Sequence, residues 1–219
     1  REEISILCSD EFAGRGYVEN GDTKAAAYIR QEFEKAGLKS FNGNYYQSFF
    51  MQVNTFPGKM QLEVDGKTLE PGIEYLIKAT SSSAKGKFTP VFIGLKDLES
   101  DSAFNALKAL DWKNKIPVID TMTYEGEKLE SRYKFLNYNG LRVPVMVFLT
   151  KNSLIWTVGR EQANFAVYEV KPGFITPETK EIKLRAEAKL VEEHATQNVI
   201  AYVPGTEQND SFIVFTAHY

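Results

Sequence analysis

Asn198-Val199-Ile200-Ala201-Tyr202-Val203, a Pro204-Gly205 break with polar residues to Asp210, and then Ser211-Phe212-Ile213-Val214-Phe215-Thr216-Ala217-His218-Tyr219 form the stretch whose reading decides the fold. Both apolar runs are rich in β-branched and aromatic residues and are bounded by turn formers, the pattern of strands buried on both faces. Two such strands in succession predict the centre of a sheet. His218 then falls at the carboxyl end of the second strand, the edge of an open α/β sheet where ligands bind.

Around that stretch, 219 residues with 43% hydrophobic and 25% charged side chains can bury the core of one large or two small domains. A total of 26 Lys and Arg against 29 Asp and Glu gives a net charge of -3, so no basic field points to nucleic acid or an anionic membrane. The longest apolar run, Val143 to Leu149, is far short of the roughly 18 residues of a spanning helix. The single cysteine, Cys8, excludes an internal disulfide and a Cys-based zinc site. Its apolar neighbours Ile6 and Leu7 suggest a packed thiol. A chain that opens Arg1-Glu2-Glu3 and closes one residue after His218 is expected to be trimmed at both ends.

From the amino end, Ile4 to Cys8 reads as a short helix leading into Ser9-Asp10-Glu11-Phe12-Ala13-Gly14-Arg15-Gly16, where two glycines bracket Arg15 in a tight loop. Asp22 is placed to cap the next helix. Ala26, Ile29, Phe33 and Ala36 recur at helical spacing along it, and Gly37 ends it. Tyr45 to Val53 reads as a strand. From Phe56 to Pro177 the chain alternates short strands and turns: strands at Met60 to Val64, Tyr75 to Ala79, Thr89 to Gly94, Lys115 to Thr121 and Arg142 to Thr150, with a flexible stretch at Thr80 to Gly86. Helices are expected at Ala103 to Leu110, Glu125 to Leu136 and Asn152 to Val158. Between Lys180 and Glu193, Ile182, Leu184, Ala186, Ala188 and Leu190 alternate with charged residues, which predicts one long strand despite helix-favouring composition.

The two histidines, His194 and His218, lie in separate segments, and there is no His-Glu-x-x-His, Gly-x-Ser-x-Gly or phosphate-binding glycine motif. His194, after Glu192-Glu193, reads as a solvated loop residue. Arg15 reads either as a residue at the rim of an active site or as a loop arginine that fixes its turn through carbonyls or a carboxylate.

The Asn-Val-Ile-Ala-Tyr-Val-Pro-Gly run, the later Thr-Ala-His-Tyr, and the Ser-Asp-Glu-Phe-x-Gly-Arg opening with Gly21-Asp22 and Ala36-Gly37-Leu38 together resemble the di-zinc aminopeptidase family. That wider group includes glutamate carboxypeptidase and the transferrin receptor. In the family, the histidine of a His-x-Asp pair binds one zinc and the aspartate bridges both ions; this chain supplies His218 and ends at Tyr219. Asp111-Trp112-Lys113-Asn114-Lys115-Ile116-Pro117-Val118 with Val143-Pro144-Val145 resembles the protease-associated domain inserted in many members. The resemblance implies an α/β fold, the incomplete amino-terminal part of a mixed-sheet zinc-peptidase domain. Residues 1–55 would open that domain, 56–178 would form the inserted mixed α and β domain, and 179–219 would return to the first.

The resemblance further implies a zinc-dependent exopeptidase acting on peptide substrates, with two zinc ions in the intact parent. His218 would be a metal ligand, and this chain alone would hold no zinc tightly and carry no catalytic residue. Export from the cell follows from the same likeness, with Asn209-Asp210-Ser211 as an acceptor for glycosylation. The alternative from another class is a non-catalytic, receptor-like binding module, for which Tyr45, Tyr46, Phe49 and Phe50 would supply contact surface in place of strand and core.

Overall fold

The computed structural model describes residues 1–120, 127–206 and 211–219. The chain divides into two units, Arg1–Met51 with Glu192–Tyr219, and Gln52–Val191.

In the first unit, helix α1 (Glu2–Leu7) leads through two tight 3-10 turns, Asp10–Arg15 and Val18–Asn20, into helix α2 (Gly21–Lys35). Left-handed backbone in the first turn falls on Ala13, Gly14 and Arg15, while Gly16 is extended. A side chain at Gly21 would put its Cβ 2.2 Å from the carbonyl oxygen of Phe12, so only glycine fits there. Asp22 does not cap α2: Asn20 holds the cap position in left-handed conformation, and Asp22 lies inside the first turn. The helix stops as expected. Gly37 turns left-handed, its N–H bonds to Glu34 O and that of Leu38 to Phe33 O, which satisfies the last carbonyls. Phe12, Ala25 and Ala26 are buried, with Tyr28 edge-on to Phe12 at 5.8 Å. Strand β1 (Tyr46–Thr55) follows.

The second unit contains β2 (Met60–Val64), β3 (Lys67–Thr68), β4 (Tyr75–Ile77), β5 (Ala84–Ile93), α3 (Leu95–Glu99), α4 (Asp101–Ala109), β6 (Lys115–Asp120), α5 (Glu127–Asn137), β7 (Val145–Leu149), β8 (Ala166–Val170) and β9 (Ile182–Ala186). Asp65 and Gly66 both take positive φ, the two-residue turn that matches strand twist, and close the β2–β3 hairpin with Val64 opposite Lys67. The strands form one eight-stranded mixed sheet in the order β3-β2-β9-β5-β6-β7-β8-β4. Its parallel centre is β5-β6-β7-β8, and the flanking pairs are antiparallel.

Alternation along β7 explains the layering. Val145, Val147 and Leu149 join one buried cluster, which takes in Leu62 and Val64 of β2 as well as Tyr75 and Ile77 of β4, strands near opposite ends of the sheet. The sheet therefore curls around that face. Met146 and Phe148 point the other way, into a cluster with Leu98 of α3, Phe104 and Leu107 of α4, and Leu136 of α5. Strands covered on both faces need continuous apolar sequence, and β7 is buried at every position.

Several expectations change, each for a visible reason. Thr80 to Gly86 is packed into the unit: Ser81 is buried and its hydroxyl accepts from Val167 N at 3.0 Å, while β5 already begins at Ala84. Asn152 to Val158 forms no helix. Ile155, Trp156 and Val158 are exposed there, and the loop's bonds go elsewhere, from Asn54 N to Gly159 O and from Ala163 N to Thr80 O, both 2.7 Å. The strand expected from Arg142 starts at Val145, because the Asn139 amide takes both the N–H and the carbonyl of Val143. Residues 121, 125 and 126, included in two expected elements, and the Asn209-Asp210 pair lie outside the described residues.

The long strand expected over Lys180 to Glu193 is two. β9 ends at Ala186 and β10 (Lys189–Val199) begins after a break where the Ser83 hydroxyl accepts from Ala188 N and donates to Ala188 O. β10 pairs with β1 in a separate two-stranded sheet. Asn198 to Val203 is only partly strand, with Tyr202 in an isolated antiparallel bridge to Lys39. Residues 211–219 form no strand. A buried strand needs hydrogen-bonding neighbours and cover on both faces, whereas Ile213 and Phe215 are 87% and 93% exposed.

Candidate functional site

Polar side chains gather around Asp22, in the first turn of α2. Its Oδ2 lies 3.1 Å from His194 Nε2 and accepts from the Thr196 hydroxyl at 3.2 Å, while Oδ1 accepts from Thr23 N at 2.8 Å. A carboxylate can only accept, which puts a proton on Nε2. His194 and Thr196 alternate on one side of β10, so strand geometry delivers both to the same oxygen. The Asp22 side chain is 13% exposed and that of His194 24%. His194 is therefore a half-buried strand residue, with Tyr17 edge-on at 6.4 Å, and not the solvated loop residue its acidic neighbours suggest. Thr196 donates to the carboxylate, not to the imidazole. The arrangement holds β10 against α2 and does not pair a nucleophile with a base.

His218 is exposed and, with residues 211–219 in no strand, does not stand at a strand's carboxyl end. Its neighbour Tyr219 is anchored: the phenol donates to Gln197 O at 2.6 Å and is half-buried. Burial pushes that phenol upward from its ordinary pKa, and the Asp22 charge adds in the same direction. Arg15 donates from Nη1 to Leu7 O at 2.7 Å and contacts Cys8 Sγ at 3.3 Å, joining the end of α1 to the turn that follows. Cys8 is exposed, not packed, because α1 has no buried residues to cover it.

Zinc takes about four nitrogen, sulfur or oxygen donors. Among the described residues no three His, Cys, Asp or Glu side chains cluster as a metal site requires, and His218 belongs to no such group there. A concavity of about 490 Å³ in the second unit is lined by Tyr138, Asn139, Arg142, Val143, Pro144 and Asn164. It lies at the amino ends of β7 and β8, opposite the edge that serves chemistry in parallel sheets. No helix among the described residues is long and apolar enough to cross a membrane.

No protein-family profile matches the chain, and no curated protein matches it. Among solved structures it is similar to an aminopeptidase from Aneurinibacillus sp. strain AM-1, at 17% identity and a TM-score of 0.50. The likeness covers 86% of this chain and 44% of that one, so the chain spans less than half the length of its structural neighbour. At such low identity it is the fold that is shared, a mixed α/β one.

Proposed function

We propose that these residues are part of a zinc-dependent exopeptidase of the di-zinc aminopeptidase type, with His218 as one metal ligand and the remaining donors and the glutamate base supplied from outside the 219 residues. The supporting observation is the likeness in fold to an aminopeptidase over 86% of the chain. Residues 56–178 would be the protease-associated-like insertion that helps select peptide substrates, and the parent would be exported. Tyr219, bonded to Gln197 O, would tether the ligand beside it.

The test compares this chain with the longer product of its gene on aminoacyl anilides. Zinc-dependent hydrolysis by the longer product, abolished by His218→Ala and absent from the 219-residue chain, supports the assignment. Activity in the short chain, or a longer product indifferent to His218→Ala, overturns it.

A second reading is a receptor-like binding module of the same architecture. It is favoured by Phe41, Phe49 and Phe50, which are exposed and not strand core. A longer product that binds no zinc yet retains a protein partner lost on Phe50→Ser would select this reading.

A further inference from the structure

We propose that the interior of the curled sheet is a built hydration site, in which the hydroxyls of Tyr75 and Tyr168 share one ordered water molecule. Tyr75 on β4 and Tyr168 on β8 are both fully buried in the cluster that the sheet encloses. Their strands are antiparallel, with Ile77 opposite Tyr168 and Val170 opposite Tyr75. The two tyrosines are thus diagonal neighbours on one face, and their rings stack with centroids 5.9 Å apart and planes 23° apart.

Strand side chains stand roughly perpendicular to their sheet, so both phenols extend from one face into the enclosed cluster. Neither hydroxyl has a hydrogen-bonding partner among the described residues. The surrounding side chains that the cluster supplies are Val, Leu, Ile, Ala and Phe, which offer none, and Met60, whose thioether is only a weak acceptor.

A buried hydroxyl left unmet weakens folding by roughly tenfold in the equilibrium constant, and here two would be unmet in one core. The backbone offers neither phenol a ready partner: β8 is paired on both sides, by β7 and β4, and on the edge strand β4 the Tyr75 N–H and carbonyl go to Glu70 O and Gly72 N. A molecule able to bond both phenols is small, neutral, and both donor and acceptor. Water meets that description, and internal waters with two to four bonds are ordinary components of cores.

The test is urea unfolding of the 219-residue chain and its Tyr75→Phe, Tyr168→Phe and double variants, all nearly isosteric. A shared water predicts that each single change raises the unfolding equilibrium constant about fivefold to tenfold. The double change should then cost clearly less than the product of the two, because the water leaves with no phenol stranded. A single variant as stable as the parent or more stable overturns the proposal, as do effects that simply multiply. A high-resolution crystal structure gives an independent reading: a water within hydrogen-bonding distance of both hydroxyls supports the site, and its absence there overturns it.

Discussion

Asp22 Oδ2 and His194 Nε2 stand 3.1 Å apart although 172 residues separate them in the chain. The same carboxylate also receives Thr196 Oγ1 and Thr23 N. Asp22→Ala removes these bonds at a mostly buried position and is expected to destabilise the chain by about 1–3 kcal/mol. Asp22→Asn, which keeps an acceptor, should cost less. Chemical denaturation of the two variants checks the order, and an Ala variant matching the parent would show that the contacts contribute nothing.

Gly21 sets two effects against each other. Alanine favours helix by about 1 kcal/mol over glycine, but here its Cβ would sit 2.2 Å from a backbone oxygen of Phe12. A backbone atom cannot swing aside as a side chain can. Gly21→Ala is therefore expected to lower the melting temperature, a net loss of about 2 kcal/mol or more.

Asn54 is a buried hub. Its Nδ2 donates to Ala79 O and Ser81 O at 2.8 Å each, and its Oδ1 accepts from Gln162 Nε2 at 2.7 Å. Asn54→Ala strands two carbonyls and an amide, so a loss of about 3 kcal/mol is expected. Faster proteolytic cleavage between residues 150 and 165 should accompany it, since Gln162 anchors that loop.

Alkaline stability follows from the buried phenols. Burial pushes Tyr75 up from 10.0 to about 12, and it raises Tyr168 as well. Above pH 10 the unfolded chain releases these protons while the folded one keeps them, so the unfolded state gains. Stability is whole below pH 10 and falls as the pH rises toward 12. Tyr75→Phe should flatten that fall, measurable as unfolding free energy against pH between 9 and 12.

Local chemistry was legible where it acts within a few residues. The Asp65-Gly66 turn, the Gly37 stop of α2 and the apolar runs of β6 and β7 all form where side-chain period and turn residues place them. What sequence does not carry is partnership at a distance. Ser83 splits an alternating run from 105 residues away, Asn54 binds Gly159 and Gln162 just beyond a stretch expected to be helical, and Asp22 turns a presumed loop histidine into a strand anchor. Of the metal site proposed above, sequence offers only His218, because spacing reveals a metal centre when its ligands recur in one segment, and no such cluster occurs among the described residues.

Phe212-Ile213-Val214-Phe215-Thr216-Ala217 has a consequence for the behaviour of many molecules together. Six uncharged residues of high strand propensity, with no proline or glycine, make the composition of a steric zipper, and here four of them are largely exposed. Concentrated solutions of the 219-residue chain are expected to form fibrils that bind thioflavin, nucleated by this segment stacking on copies of itself. A gatekeeper charge at its centre, Val214→Lys, should lengthen the lag phase severalfold while the fold of Gln52–Val191 stays intact.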